Sequence, residues 1–233
     1  MAEFTNGFEL MRRVDPAVSI FGSARLTSKS PYFQLTEDVS ETITSAGFSL
    51  ISGGGPGLME AANKGAFRGI QDYKKHFPSE RPPVNVGLTI QLPFEPKANP
   101  FVNLEVHFRY FFVRKVMFAR YARAFIIMPG GFGTLDELFE ALTLIQTNKM
   151  TKFPIVMMGV DYWKGLVDWM KETAIKEGAL LKKHLELIHL TDDPEEAVEI
   201  IGRSYADLVS LVQRRKRKSR SKKRHRPTAK KRS

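Results

Sequence analysis

The segment 129–138, PGGFGTLDEL, sets Gly130, Gly131 and Gly133 just ahead of Thr134, with Glu137 three residues further on. Glycines allow a backbone to approach an anion closely. The first turn of a helix adds unpaired N–H groups and the positive end of its dipole. Residues of these types at this spacing could seat a phosphate and hold a carboxylate beside it. The spacing also describes a capping box in which Thr134 is the N-cap and Glu137 returns to its backbone N–H, a device that needs no ligand. A second glycine turn, GGGPGLMEAANKGA, carries Gly53, Gly54, Gly55 and Gly57, and a shorter one lies at Gly22-Ser23. Ser23 could donate to a ligand or cap its own turn. Arg114 and Lys115, within FRYFFVRKVMFARYAR, add cations. An arginine fork can clamp phosphate oxygens in two parallel bonds, although basic residues also populate ordinary solvated helix faces.

Each glycine turn follows a short apolar run and precedes a helical pattern. Strands are expected at 17–21, 48–52, 84–90, 124–128, 154–159 and 185–190. Helices are expected at 31–46 (ended by Gly47), after GGGPG, at 108–123, after Thr134, at 162–176 and from Pro194 to about Val212. Residues 1–16 read as an arm and 71–83, rich in charge and proline, as a surface loop. Alternating strands and helices, the strands short and apolar without strict two-residue alternation, predict an α/β fold: one doubly wound, Rossmann-like domain over 17–213 with a mainly parallel sheet. In such sheets ligands lie beyond the carboxyl ends of the strands, where the strand order reverses. All three glycine turns fall at carboxyl ends and can share one crevice.

The 233 residues, 42% of them apolar and 17 of them Phe, suffice for a buried core. Without cysteine there are no disulfides, thiolate nucleophiles or Cys-based zinc sites, and the five histidines show no ligand spacing, so no metal and no cofactor is expected. No run approaches the ~18 apolar residues of a membrane helix, and a soluble, cytoplasmic protein is expected. The net charge of +11 is concentrated at one end: residues 214–233 hold thirteen Lys or Arg and no acid. Subtracting those thirteen from +11 leaves −2 for residues 1–213. The basic tail is expected to be disordered, serving either as a weak, salt-sensitive tether to a nucleic acid or other polyanion or as a solubilising extension.

The dinucleotide fingerprint GxGxxG and the P-loop signature GxxxxGK[ST] are both absent, which directs attention to a mononucleotide or sugar phosphate. Three motifs in order, GGGPGLMEAANKGA, FFVRKVMFARYARAF and PGGFGTLDELFEALTLIQ, resemble the Lonely Guy family, also labelled lysine decarboxylase-like, whose signature is PGGxGTxxE. The likeness runs from about Ala17 to Asp193 and is nearer the longer bacterial members. It implies a homodimer or higher oligomer with the active site near the subunit interface. It also implies hydrolysis of the N-glycosidic bond of a purine nucleoside 5′-monophosphate, including N6-modified, cytokinin-type substrates, to free base and ribose 5-phosphate. By motif position Arg114 and Glu137 match the family's catalytic pair; Gly130, Gly131, Gly133 and Thr134 match its phosphate loop; and Lys115, Thr143 and Glu95 match further ligand contacts. Gly22, Ser23, Gly53 and Gly54 complete the expected substrate-binding set. The alternative is a carrier that binds a nucleotide or the molybdenum cofactor without cleaving it. No pyridoxal-binding lysine motif supports the decarboxylase label.

Overall fold

A computed structural model describes residues 2–91 and 98–224, with side chains described through residue 210. Seven strands form one sheet in the order β4-β3-β2-β1-β5-β6-β7. They are β1 (Ala17–Phe21), β2 (Ser49–Ser52), β3 (Asn85–Ile90), β4 (Leu104–Phe108), β5 (Ala122–Ile127), β6 (Ile155–Met157) and β7 (Ile188–Leu190). Every neighbouring pair is parallel. The helices are α1 (Ala2–Met11), α2 (Pro31–Ser45), α3 (Leu58–His76), α4 (Phe111–Tyr121), α5 (Phe132–Gln146), α6 (Val160–Trp169), α7 (Lys182–Leu185) and α8 (Pro194–Arg224), with a π-helical turn at Met170–Ala174 after α6. The architecture is the expected doubly wound, Rossmann-like α/β fold.

Alternation along β5 shows how the two faces are built. Ala124 and Ile126 pack with Val39, Ile43, Leu58 and Ile201 under α2, α3 and α8. Phe125 and Ile127 pack with Met117, Phe118, Leu138 and Trp163 under α4, α5 and α6. Helices cover both faces, so the central strands are mostly apolar on both sides, with the buried polar exceptions Ser19, Ser49, Ser52 and Asn85. Helix starts follow local chemistry as well. Ser30 caps α2 by accepting the Tyr32 N–H, Pro31 occupies the first helical position, and Gly47 closes the end at φ +93°.

Several elements depart from the sequence reading. The arm is mostly helix α1, which lies against α4, where Gly7 faces Met117. Helix α3 runs on to His76, into the segment read as a loop from 71. Strand β4 fills residues 104–107, to which no element was assigned, and takes the first residue, Phe108, of the expected 108–123 helix. It is an edge strand with Val106 and Phe108 buried and Glu105 and His107 exposed, a two-residue alternation that the following aromatic run obscures. The last helix passes Val212 and reaches Arg224, so the stretch expected to be disordered from Arg214 has helical backbone that far, and the rest of it lies outside the described residues.

Candidate functional site

The strand order reverses between β1 and β5, the point where α/β sheets open a crevice. The three glycine turns meet there. The Met128 N–H donates to the Phe21 carbonyl at 2.8 Å, the Ser23 N–H to the Pro129 carbonyl at 3.0 Å, and the Leu58 N–H to the Ser23 carbonyl at 2.9 Å. These bonds tie the ends of β1 and β5 to the start of α3. Above them lies a cleft of about 400 Å³ whose walls include Ser23, Arg25, Gly53, Arg114, Thr134 and Glu137.

The glycine turn at the head of α5 differs in detail from the expected cap. Gly131 is the N-cap, with no side-chain cap bond, and α5 begins at Phe132. Thr134 is therefore the third helical residue, and the capping box it was expected to form with Glu137 does not exist. Its buried side chain instead packs on Gly130, where a Cβ would come within 2.1 Å of the Thr134 Oγ1. Glycine is required at 130 for this close approach. The Tyr162 hydroxyl, from α6, donates to the Gly130 carbonyl at 2.9 Å and steadies the turn from behind. Gly131 and Gly133 border the cleft, and space next to both is open. The first turn of α5, whose N–H groups lack an intrahelical acceptor, thus lines the cleft at the positive end of the helix dipole.

Arg114 enters from α4 and is pinned by the backbone. Its Nε donates to the Leu88 carbonyl at 2.7 Å and its Nη2 to the Gly53 carbonyl at 3.4 Å, while the guanidinium lies 5.3 Å from the centre of the Phe118 ring. A Cβ at residue 53 would stand 2.6 Å from Nη2, so Gly53 is what lets the arginine settle against β2. A side chain fixed in this way keeps its rotamer before any ligand arrives, and little entropy remains to be lost on binding.

Glu137, from the second turn of α5, is partly buried on the wall of the same cleft. Burial pushes its carboxyl up to about 7. Lys115 and Arg114 pull the other way, and Glu140 and Asp136 add to the rise. Lys115 was expected to touch ligand. Its ammonium is instead held 2.7 Å from both Asp136 Oδ2 and Glu140 Oε2. Burial disfavours that charge, but the bonds to Asp136 and Glu140 outweigh it and the pKa rises. The nearest lysine is thus committed to the two carboxylates that flank Glu137 on α5.

Other expected residues divide. Ser23 lines the cleft, but its Oγ accepts from the Arg25 N–H at 3.1 Å and caps its own turn. Gly22 borders the cleft, whereas Gly54 at φ +73° lies off its wall, with its carbonyl accepting from the Asn99 backbone and side chain at 2.8 and 3.1 Å. Thr143 is exposed, donates to the Phe139 carbonyl at 2.7 Å and does not line the cleft. Glu95 lies outside the described residues. The sequence reading passed over Arg25 and Tyr162. Arg25 stands two residues beyond Ser23 in FGSAR, and that position at a carboxyl end was the available signal. Among the described residues no group of three His, Asp or Glu could hold a metal ion, and no helix is long and apolar enough to cross a membrane.

Residues 59–201 match the family model described as "Possible lysine decarboxylase". The chain is 28% identical over 184 residues to cytokinin riboside 5′-monophosphate phosphoribohydrolase LOG3 of Arabidopsis thaliana, covering 78% of this chain and 80% of that protein. It is also 28% identical over 162 residues to the probable enzyme of the same name, LOGL3, of Oryza sativa subsp. japonica, covering 68% and 70%. Among solved structures, the molybdenum cofactor carrier protein of Chlamydomonas reinhardtii superposes with a TM-score of 0.54 at 18% identity, over 82% of this chain and 98% of that one. The molybdenum cofactor binding protein of Rippkaea orientalis gives 0.52 at 19%, over 81% and 96%. At such identity the two structures attest the fold alone.

Proposed function

This chain belongs to the "possible lysine decarboxylase" family, the Lonely Guy family, and on that premise we propose that it hydrolyses the N-glycosidic bond of a purine nucleoside 5′-monophosphate. The observation that carries the reading is Glu137: a carboxyl group with its pKa near 7, on the wall of a cleft that also presents a pinned arginine and a glycine-rich helix N-terminus. The curated relatives of similar length are named for this reaction.

Each part has a physical role. The 5′-phosphate sits against the N–H groups at the head of α5, where Gly131 and Gly133 leave room and the dipole favours negative charge. Arg114 holds phosphate oxygens or ribose hydroxyls from the opposite wall, and its fixed rotamer sets the sugar over Glu137. As the C1′–N bond breaks, its electron pair leaves with the base and positive charge builds on the ribose ring. The Glu137 carboxylate stabilises that charge and accepts a proton from the water that adds to C1′. The base takes up a proton, and the products are free base and ribose 5-phosphate.

The proposal extends to a homodimer. Tyr110, Phe111 and Phe112 at the start of α4 are each more than half exposed, and Phe132 beside the cleft is 93% exposed. Such a patch is uncommon on a solitary surface and suits a second copy that closes the cleft. Light scattering tests it, with a monomer mass at micromolar concentration counting against it.

The reaction is tested by incubating the protein with a panel of nucleoside monophosphates and separating the products. Release of base and ribose 5-phosphate, lost in Glu137→Gln while the melting curve is retained, is the expected result. Tight nucleotide or molybdenum-cofactor binding with no turnover would replace the enzyme with the carrier reading.

A further inference from the structure

The cleft occupies one end of the sheet, and the positive charge of the chain gathers at the other. Helix α8 starts near the carboxyl end of β6, where the Asp192 carboxylate accepts the Gly159 and Val160 N–H groups, and runs back to the amino ends of the strands. There Ser204, Tyr205 and Leu208 share a cavity of about 480 Å³ with Asp15, Arg123 and Lys152, which precede or begin β1, β5 and β6. Arg123 is the extra residue of a bulge, since Ala122 and Ala124 pair with the consecutive Ala17 and Val18. Bulges re-aim a side chain, and this one holds Asp15 at 2.5 Å. Arg12, Arg13, Lys149 and Lys152 are exposed on segments entering the same pole.

From this pole α8 continues as helical backbone to Arg224, and residues 214–224 contain nine Lys or Arg and no acid. At ~1.5 Å rise per residue, that is one positive charge per roughly 1.8 Å of helix axis. A nucleic-acid backbone is a polyanion of comparable linear density, with one negative charge per ~1.7 Å in duplex DNA and per ~3.4 Å along one strand. Such a helix repels itself and needs a counter-charge of comparable density. The run 214–233 has no Leu, Ile, Val, Met, Phe, Tyr or Trp, and therefore no apolar face to enter a bilayer.

We propose that the amino-end pole of the sheet and the basic continuation of α8 form a docking surface for the phosphodiester backbone of a nucleic acid, bound without sequence preference. The six residues of β5 separate this surface from the cleft by about 20 Å, so both can be occupied together. The inference does not depend on the hydrolase reading.

Fluorescence anisotropy of the full chain with a labelled single-stranded RNA of about 20 nucleotides tests it, from ~50 mM to ~300 mM salt. Binding at the low end, falling steeply with salt, is expected. Replacing Arg214, Arg215, Lys216, Arg217 and Lys218 by Gln in the full chain should reduce the slope of log K against log salt by about 3, with the melting temperature retained. The triple change Arg12→Gln, Arg13→Gln and Lys152→Gln should weaken binding by a smaller factor; wild-type affinity in that variant would remove the pole from the surface. No RNA binding at low salt, RNA binding indifferent to the five-residue replacement, or capture by phosphatidylserine vesicles without RNA binding would each overturn the proposal.

Discussion

Two glutamates in this molecule are removed from water and meet opposite fates. Glu37, on α2, is only 3% exposed, yet its carboxyl is held below the ordinary range. Burial alone would raise it, but Lys64 at 2.8 Å and Arg68 at 2.5 Å more than compensate. Those partners come from α3, which approaches α2 so closely that a Cβ on Gly65 would stand 2.0 Å from the Glu37 carbonyl. Glu137, on α5, keeps more accessible surface but is desolvated more heavily by the atoms packed around it, and is pushed up to about 7. Two cations, Lys115 and Arg114, pull it back only partway, and Lys115 is bound to Asp136 and Glu140. Burial by itself does not mark a functional carboxylate. What separates the two is that direct hydrogen bonds from Lys64 and Arg68 override desolvation at Glu37, whereas desolvation at Glu137 outweighs the charges of Lys115 and Arg114.

The sharpest way to break this comparison is to neutralise each glutamate in turn. Glu137→Gln should cost on the order of 2.7–4 kcal/mol of transition-state stabilisation, a loss of roughly 10²–10³ in kcat, while the fold persists. Steady-state kinetics beside a thermal melt checks both halves. Glu37→Gln should do the reverse. It leaves Lys64 and Arg68 facing a neutral amide and should lower unfolding stability by about 2–3 kcal/mol, with kcat per folded molecule unchanged. Denaturant titration of the two variants gives the contrast directly.

A third effect concerns stability and pH. The folded-state pKa of Glu137 is raised, so the protonated group favours the fold below about 4.5 and that contribution is lost as pH rises through about 7. Glu137→Gln, which cannot ionise, should therefore become more stable than the parent as pH climbs from 4.5 to 7, by on the order of 1–3 kcal/mol, and the gap should level off above. Melting curves across that range suffice. Smallest of all, Lys115→Gln removes the charge that most restrains the Glu137 pKa and should move it further up. Because the carboxylate is the working form in the proposed reaction, activity at pH 7 should fall about fivefold and recover toward pH 9.

Much of this contrast was legible in the residues. The strands that pack on both faces are short, predominantly apolar runs bounded by turn residues, so β1, β2, β3 and β5 could be placed without coordinates, and the glycine turns fell at the carboxyl ends of β1, β2 and β5. The edge strand β4 escaped because Glu105 and His107 alternate with buried neighbours and then pass straight into an aromatic helix. The capping box at Thr134 was a fair local reading, overturned because α5 starts two residues earlier at Phe132 and Thr134 serves to pack Gly130. The diversion of Lys115 to Asp136 and Glu140 depends on how α4 meets α5, a tertiary relation with no signature in spacing. Arg114 and Glu137, 23 positions apart, could be paired in advance only through the family resemblance.

The account rests on Glu137 titrating near neutrality while Glu37 does not. Carbon-13 NMR of side-chain-labelled protein, with each resonance assigned by its Gln variant, measures both in one titration. The predicted result is a midpoint of about 7 for Glu137 and a midpoint below 4.5 for Glu37. A Glu137 midpoint at or below 4.5 would contradict the claim that burial there outweighs the charges of Lys115 and Arg114.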